Sequence, residues 1–152
     1  MIVYRLAFDK FKNDLSGKGA ELAGGRWNSK GIPIVYTSET RALCVTEVAV
    51  HTPLGIVPKD YYLVTIEIPD SMEIKEIKAA ALPEGWKDIP YGYDTQQIGN
   101  KFILANKYAV LKVPSAVVAG DYNYLLNPRH PDFHLIKVKK TERFEFDKRL
   151  FI

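Results

Sequence analysis

The chain has 152 residues, 47% of them hydrophobic and 12% aromatic, enough for one domain that needs neither a disulfide nor a structural metal and buries roughly 70% of its unfolded surface. A single cysteine, Cys44, excludes an internal disulfide; no apolar run approaches the roughly 20 residues of a membrane span, and no basic-then-apolar leader opens the chain, so a cytoplasmic protein without a membrane partner is expected. The formal net charge of +3 lacks the clustered Lys/Arg stripe of a dedicated nucleic-acid binder, so no direct nucleic-acid contact is expected, yet it favours an anionic ligand.

No repeat or low-complexity linker interrupts residues 1–152, which read as one domain. Ile2 to Phe8 reads as a strand, and Ile34 to Thr37 as another entered through Pro33. Between them lies a long polar, glycine-rich loop, a length that signals a binding or lid role or else disorder. Ser38 is the expected N-cap of a helix with Glu39 in its first turn, running to His51 until Pro53 stops it. Tyr62, Val64, Ile66 and Ile68 alternate along a half-buried strand that Pro69 ends. Thr95 is the expected cap of a second helix whose Ile98, Phe102, Ala105 and Ala109 form one apolar stripe. Strands are then predicted at Val110 to Val113, Ala116 to Ala119, Leu135 to Lys139 and Arg143 to Phe146. The sum is an α+β fold with a mainly antiparallel sheet and few helices.

Glu47 is the sharpest chemical clue. Leu43, Glu47 and Val50 fall within about 60° of one another on the first long helix. Ala42, Cys44, Val45, Val48 and Ala49 make that helix apolar nearly all round, which predicts a buried helix and a shielded carboxylate. Such a charge needs a partner or a purpose. An ion pair with Arg26, Arg41 or Arg5 is one account and a functional carboxylate is the other. His51, one turn on, reads as a helix-end histidine favoured by the dipole.

The loop Gly24-Gly25-Arg26-Trp27-Asn28-Ser29-Lys30-Gly31 combines backbone freedom, a planar cation, a stacking surface and hydrogen-bonding side chains. Arg26 can grip a phosphate bidentately where lysine cannot. Trp27 reads better as a plug at the core edge.

Standard nucleotide signatures fail. Gly17-Lys18-Gly19 lacks the third glycine and the βαβ context, and no P-loop pattern occurs. His51, His130 and His134 show no metal-ligand spacing, so neither a metal nor a resident cofactor is expected. Ser115, in Val113-Pro114-Ser115, either caps a turn or offers its hydroxyl to a ligand, and no nucleophile elbow surrounds it. Asn123 to Pro131 reads as a rigid polar turn in which Asn127, held extended by Pro128, serves structure or binding.

Taken together, Gly24-Gly25-Arg26-Trp27-Asn28, Pro33 to Thr37 with Tyr36, Glu47-Val48 with His51, Val113-Pro114-Ser115 and Asn123 to Phe133 resemble the RES domain family. The likeness runs from Arg5 to the Phe146–Leu150 tail. It departs at Ile98-Gly99-Asn100-Lys101-Phe102, which stand where the family more usually has an aspartate and a tryptophan. The resemblance implies a fold similar to ADP-ribosyltransferase toxins and the toxin half of a toxin–antitoxin pair acting on NAD. It implies Arg26, Glu47 and Ser115 as the catalytic set and Tyr36, Arg41, Trp27, Asn28 and Asn127 as substrate contacts. It also implies an Xre-type helix-turn-helix antitoxin as partner, with room for a homodimer within that complex.

The expected chemistry is cleavage of the nicotinamide–ribose bond of NAD, by hydrolysis or phosphorolysis. Nicotinamide leaves as a neutral molecule, so an enzyme mainly has to steady an oxocarbenium-like ribose, a task a shielded carboxylate suits. The second enzyme option is ADP-ribosyl transfer to a specific protein. The alternative of another class is an RNA-binding or RNA-cleaving module, motivated by nine tyrosines, the mild positive charge, His51 and His130.

Overall fold

In the computed structural model, which describes residues 1–152, the regular elements follow the order β1 (Ile2–Phe8), α1 (Lys18–Ala23), β2 (Val35–Ser38), α2 (Arg41–His51), β3 (Tyr61–Glu67), β4 (Ile74–Glu76), α3 (Tyr93–Ala105), β5 (Val110–Pro114), β6 (Tyr122–Leu126) and β7 (Lys137–Phe144). The seven strands form one sheet in the order β4-β5-β6-β2-β1-β3-β7, antiparallel throughout except for the β4–β5 pair. The architecture is α+β, as expected. No helix is long and apolar enough to cross a membrane.

Alternation along the strands sends side chains to two cores. Val3, Ala7, Val64, Ile66, Tyr124 and Leu126 pack on one face of the sheet. Trp27, Ile34, Leu111, Val113 and Leu125 pack on the other, beneath Phe102 and Ile103 of α3.

One seam in this sheet matters for function. β1 pairs with β3 from Ile2 opposite Glu67 to Phe8 opposite Tyr61, but with β2 at a single position, Tyr4 opposite Ser38. The sheet is therefore split between β1 and β2. Backbone groups and side chains that would meet across a closed ladder instead face open space, and a cleft of about 580 Å³ occupies it.

Several boundaries differ from the sequence reading. Ser38 still pairs with Asn123 of β6, so the strand continues through it and Thr40 becomes the N-cap, its Oγ1 accepting from Leu43 N at 3.0 Å. Glu39 lies outside the helix and its Oε1 accepts from Tyr122 N. α2 buries one face only: Leu43 and Cys44 are buried, whereas Val50 is 54% exposed. Its apolar surroundings reflect composition rather than enclosure.

α3 is N-capped by Gly92, with Thr95 inside its first turn and donating to Gly92 O. Left-handed Asn106 ends it, so Ala109 belongs to the approach to β5. The strand expected at Ala116 to Ala119 is a turn, closed by Val117 N and Val118 N donating to Ser115 Oγ. The two strands expected at 135–139 and 143–146 are one, β7. The glycine-rich loop contains α1, and β4 was not anticipated, since its three residues offer too short a pattern.

Candidate active site

The cleft takes Tyr4, Arg5 and Leu6 from β1, Val35 to Ser38 from β2, Glu47, Val48 and His51 from α2, the 24–27 loop, Tyr91, and Asn123 from β6. Every element that borders the split thus contributes to it.

Glu47 projects from α2 into this space. Its Oε1 accepts from Asn123 Nδ2 at 2.8 Å and from Ser115 Oγ at 3.1 Å. Its Oε2 receives no bond from the protein, and none of Arg26, Arg41 or Arg5 forms an ion pair with it. The ion-pair account of Glu47 gives way to a carboxylate held on one oxygen and free on the other.

Ser115, 1% exposed, lies behind Glu47 rather than on the cleft wall, its oxygen already accepting from two backbone N–H groups. It touches the carboxylate and positions it. Asn123, which sequence reasoning placed in a polar turn, lies on β6 and is the stronger donor of the two.

The loop carrying Arg26 is fixed from several sides. Asn28 is fully buried; its Nδ2 donates to Ala20 O at 2.8 Å and Ile32 O at 2.9 Å, and its Oδ1 accepts from Tyr36 OH at 2.6 Å. Tyr36 OH in turn accepts from Trp27 N, and burial pushes its pKa up. Gly25 is required there: a Cβ would sit 2.6 Å from Tyr36 OH.

From α3, Gln96 Nε2 donates to Gly25 O and Asn28 O, while Asn100 exchanges two bonds with Ser29. Gly99 lets the helix touch the loop backbone, since a Cβ would fall 1.6 Å from Trp27 O. The segment where the chain departs from the family pattern thus packs closely against the Arg26 loop.

Arg26 points across the cleft mouth. Its Nη1 donates to Trp86 O at 2.6 Å and Asp88 O at 3.1 Å, and Tyr91 lies 6.0 Å from the guanidinium carbon. Its Nε and Nη2 stay free of protein partners. Burial lowers its pKa, and the negative charge of Glu47 is the largest influence in the other direction. A second cation, Arg5, lines the cleft from β1 and donates to the Asp14 backbone oxygen; burial lowers its pKa too, with Asp14 and Cys44 opposing. Cys44 also lines the cleft, but burial pushes its thiol up to about 12, which removes it as a nucleophile at neutral pH.

The remaining expected contacts are dispersed. Tyr36 and Trp27 border the cleft, Trp27 chiefly as a core plug beside Trp86. Asn28 has every side-chain polar atom engaged within the loop. Asn127 lies away from the cleft, donating to Asn106 Oδ1 and accepting from Arg129 N, and so caps the Pro128 turn. Arg41 is exposed at the start of α2, over the Tyr4 ring at 5.3 Å. His51 lines the cleft, whereas His130 faces a different groove with Lys107 and Asp132, so the two histidines share no site. No three His, Cys, Asp or Glu side chains converge as a metal cluster. The sequence offers Arg5 only as a possible ion-pair partner of Glu47 and Asn123 only as part of a polar turn; the register of β1 and β6 brings both to the cleft.

The model of the RES domain matches residues 2–147. The chain is 40% identical over 140 residues to the Prs ADP-ribosylating toxin of Sphingobium sp. strain YBL2, covering 91% of this chain and 87% of that protein. It is 37% identical to Toxin Res of Photorhabdus laumondii, over 99% of this chain and 97% of that one. The solved M. tuberculosis MbcT–MbcA toxin–antitoxin complex contains a chain of similar fold, with a TM-score of 0.69 and 22% identity over 99% of this chain and 86% of that one. The chain belongs to the RES domain family, and its relatives in Sphingobium and Photorhabdus are toxins.

Proposed function

We propose that this chain is the toxin of a toxin–antitoxin pair and cleaves the nicotinamide–ribose bond of NAD, depleting the dinucleotide by hydrolysis or phosphorolysis. One observation carries the reading: Glu47 holds one oxygen on two donors and presents the other, unpartnered, in a cleft of about 580 Å³ that also contains Arg26 and Arg5. A cleft of this size suits a nucleotide ligand, and two cations suit its pyrophosphate.

The C1′–N bond breaks with its electron pair passing to the pyridinium nitrogen, so neutral nicotinamide departs and positive charge develops on the ribose. Glu47 Oε2 accepts from a ribose hydroxyl and stabilises that charge, and Arg26 and Arg5 hold the phosphates. Water or phosphate then attacks C1′ and gives up its proton to solvent. NAD is a substrate here and no resident cofactor takes part.

Incubating the purified chain with NAD should release free nicotinamide, and Glu47→Gln should lower the rate at least about 10²-fold. Unchanged NAD loss in that variant overturns the assignment.

The relative named as an ADP-ribosylating toxin supports a second reading, transfer of ADP-ribose to a protein, which shares the first step and differs in the acceptor. Mass analysis of the products with and without phosphate, alongside a search for protein-bound ADP-ribose, separates the acceptors. As partner we propose an antitoxin, which the toxin–antitoxin complex of similar fold supports, and more finely an Xre-type helix-turn-helix protein that covers the cleft. Its test is whether a neighbouring reading frame encodes such a protein and whether that protein suppresses nicotinamide release.

A further inference from the structure

Arg26 and Glu47 line one cleft and sense each other's charge, yet they do not pair. A glutamate on a helix has three rotatable bonds, and a cation in the same cleft attracts its carboxylate. A carboxylate paired with Arg26 would occupy both groups that a substrate needs, so a restraint on Glu47 keeps both available.

Asn123 supplies that restraint. Its Nδ2 lies 2.8 Å from Glu47 Oε1 and its Oδ1 lies 3.0 Å from Ser38 Oγ. An ionised carboxylate only accepts, so the amide must present its NH2 to Glu47 and its oxygen to Ser38, whose hydroxyl then donates. Ser38 and Asn123 sit opposite one another in the β2–β6 register, so strand pairing itself fixes their contact. Ser38 is buried, and no competing water-facing rotamer is needed to explain its direction.

We infer that Asn123, oriented by Ser38, is a positioning residue for the reaction, holding the Glu47 carboxylate off Arg26 with Oε2 toward the substrate ribose. The inference rests on the proposed role of Glu47 in NAD cleavage. Ser115 adds the second donor to the same oxygen, and its own bonds to Val117 and Val118 tie it to the turn before β6. The titratable groups that share the cleft with Glu47 are Arg26, Tyr36 and Tyr91, Tyr4 and Arg5 from β1, Asp14 and Lys18 after it, Cys44 and His51 on α2, and Tyr61 on β3.

The test is NAD cleavage by the full-length chain between pH 5 and 9, with kcat and KM measured for wild type, Asn123→Ala and Asn123→Asp, and thermal denaturation run on each. Asn123→Ala should lose kcat by about 10- to 100-fold, the range for a hydrogen bond to a charged group. In Asn123→Asp two carboxylates share one oxygen-to-oxygen contact. At high pH both are ionised and repel, so kcat should fall at least as far as in Asn123→Ala. As the pH drops, the pair takes up a shared proton, the introduced carboxyl donates as the amide did, and kcat should climb back toward wild type. Every other ionisable group is common to both proteins, so the ratio of variant to wild type isolates the new behaviour.

A purely structural role lowers the melting temperature without this acid recovery. A ratio that does not change with pH, or full kcat in Asn123→Ala, overturns the inference. If Asn123→Asp does not fold, Ser38→Ala serves instead: it frees the amide to turn over and should lower kcat severalfold at unchanged KM, and wild-type kcat there overturns the inference equally. The two readings fail differently. A wild type that releases no nicotinamide overturns the proposed function, whereas an active wild type, an inactive Glu47→Gln and a pH-indifferent Asn123→Asp overturn the positioning role alone.

Discussion

Glu47 sits on an eleven-residue helix and receives two side-chain donors on one oxygen, whereas Arg26 sits on a loop and gives its own two bonds to the carbonyls of Trp86 and Asp88. The carboxylate is set before any substrate arrives. The cation is set at its backbone, by α3 and Tyr36, while its guanidinium leans on a segment in which Lys87, Asp88, Ile89 and Pro90 are exposed. Preorganisation is therefore unequal: under the proposed NAD cleavage, the group assigned to C1′ is fixed, and the one assigned to the phosphates is anchored at its root and shared at its tip.

If the Arg26 wall owes its shape to α3, the largest effect comes from separating them. Gly99→Ala puts a methyl 1.6 Å from Trp27 O, and neither backbone can yield without breaking the Gln96 and Asn100 bonds. Overpacking of this kind costs about 1–3 kcal/mol or more, which for a chain of this size lowers the melting temperature by roughly 2–12 °C. Nicotinamide release should fall to background. An active, equally stable Gly99→Ala protein would break the comparison.

The next effect isolates the tip of the cation. Arg26→Lys keeps the charge but loses the fork that reaches two carbonyls and still leaves Nε and Nη2 for a phosphate. KM for NAD should rise about tenfold, the equivalent of roughly 1.4 kcal/mol, with kcat changed much less. An equal fall in kcat at constant KM would move Arg26 from binding to the chemical step.

Tyr36→Phe probes the root of the same group. It removes the donor to Asn28 Oδ1 and the acceptor for Trp27 N, both within a buried loop. Leaving such groups unpaired costs about 1–3 kcal/mol in all, read by chemical denaturation, and activity should drop severalfold through Arg26. Stability that is unchanged would show the loop to be held from α3 alone.

The same contrast explains what was legible in the sequence. The α2 carboxylate stood out because a charge among Leu43, Cys44 and Val48 is visible in one helical turn. Trp27 as a plug, the β1 strand and the β3 alternation follow from local pattern too. The partners of Glu47 did not. Ser115 and Asn123 lie 68 and 76 residues away in the chain, and their approach depends on the β2–β6 register, which no local period encodes. The resemblance makes Asn28 a ligand contact and its type suits one, but its neighbours Ala20, Ile32 and Tyr36 consume its polar atoms. Ser38 has the residue type of a cap, and strand pairing with Asn123 carries the chain past it. Residue type named the chemistry in each case, and tertiary context chose between structure and substrate.

Arg41→Ala is the smallest expected effect and discriminates by its silence. The resemblance makes Arg41 a substrate contact, but the side chain is exposed, outside the cleft, over the face of Tyr4. An exposed cation–π contact contributes about 0.5–1 kcal/mol. Arg41 is also the first residue of α2, where a positive charge opposes the helix dipole at a similar cost, and alanine is the better helix former. The two influences nearly cancel, so stability should stay within about 0.5 kcal/mol and NAD cleavage within about twofold of wild type. A tenfold rise in KM would instead place Arg41 at the pyrophosphate, and would require the start of α2 to move toward the cleft when substrate binds.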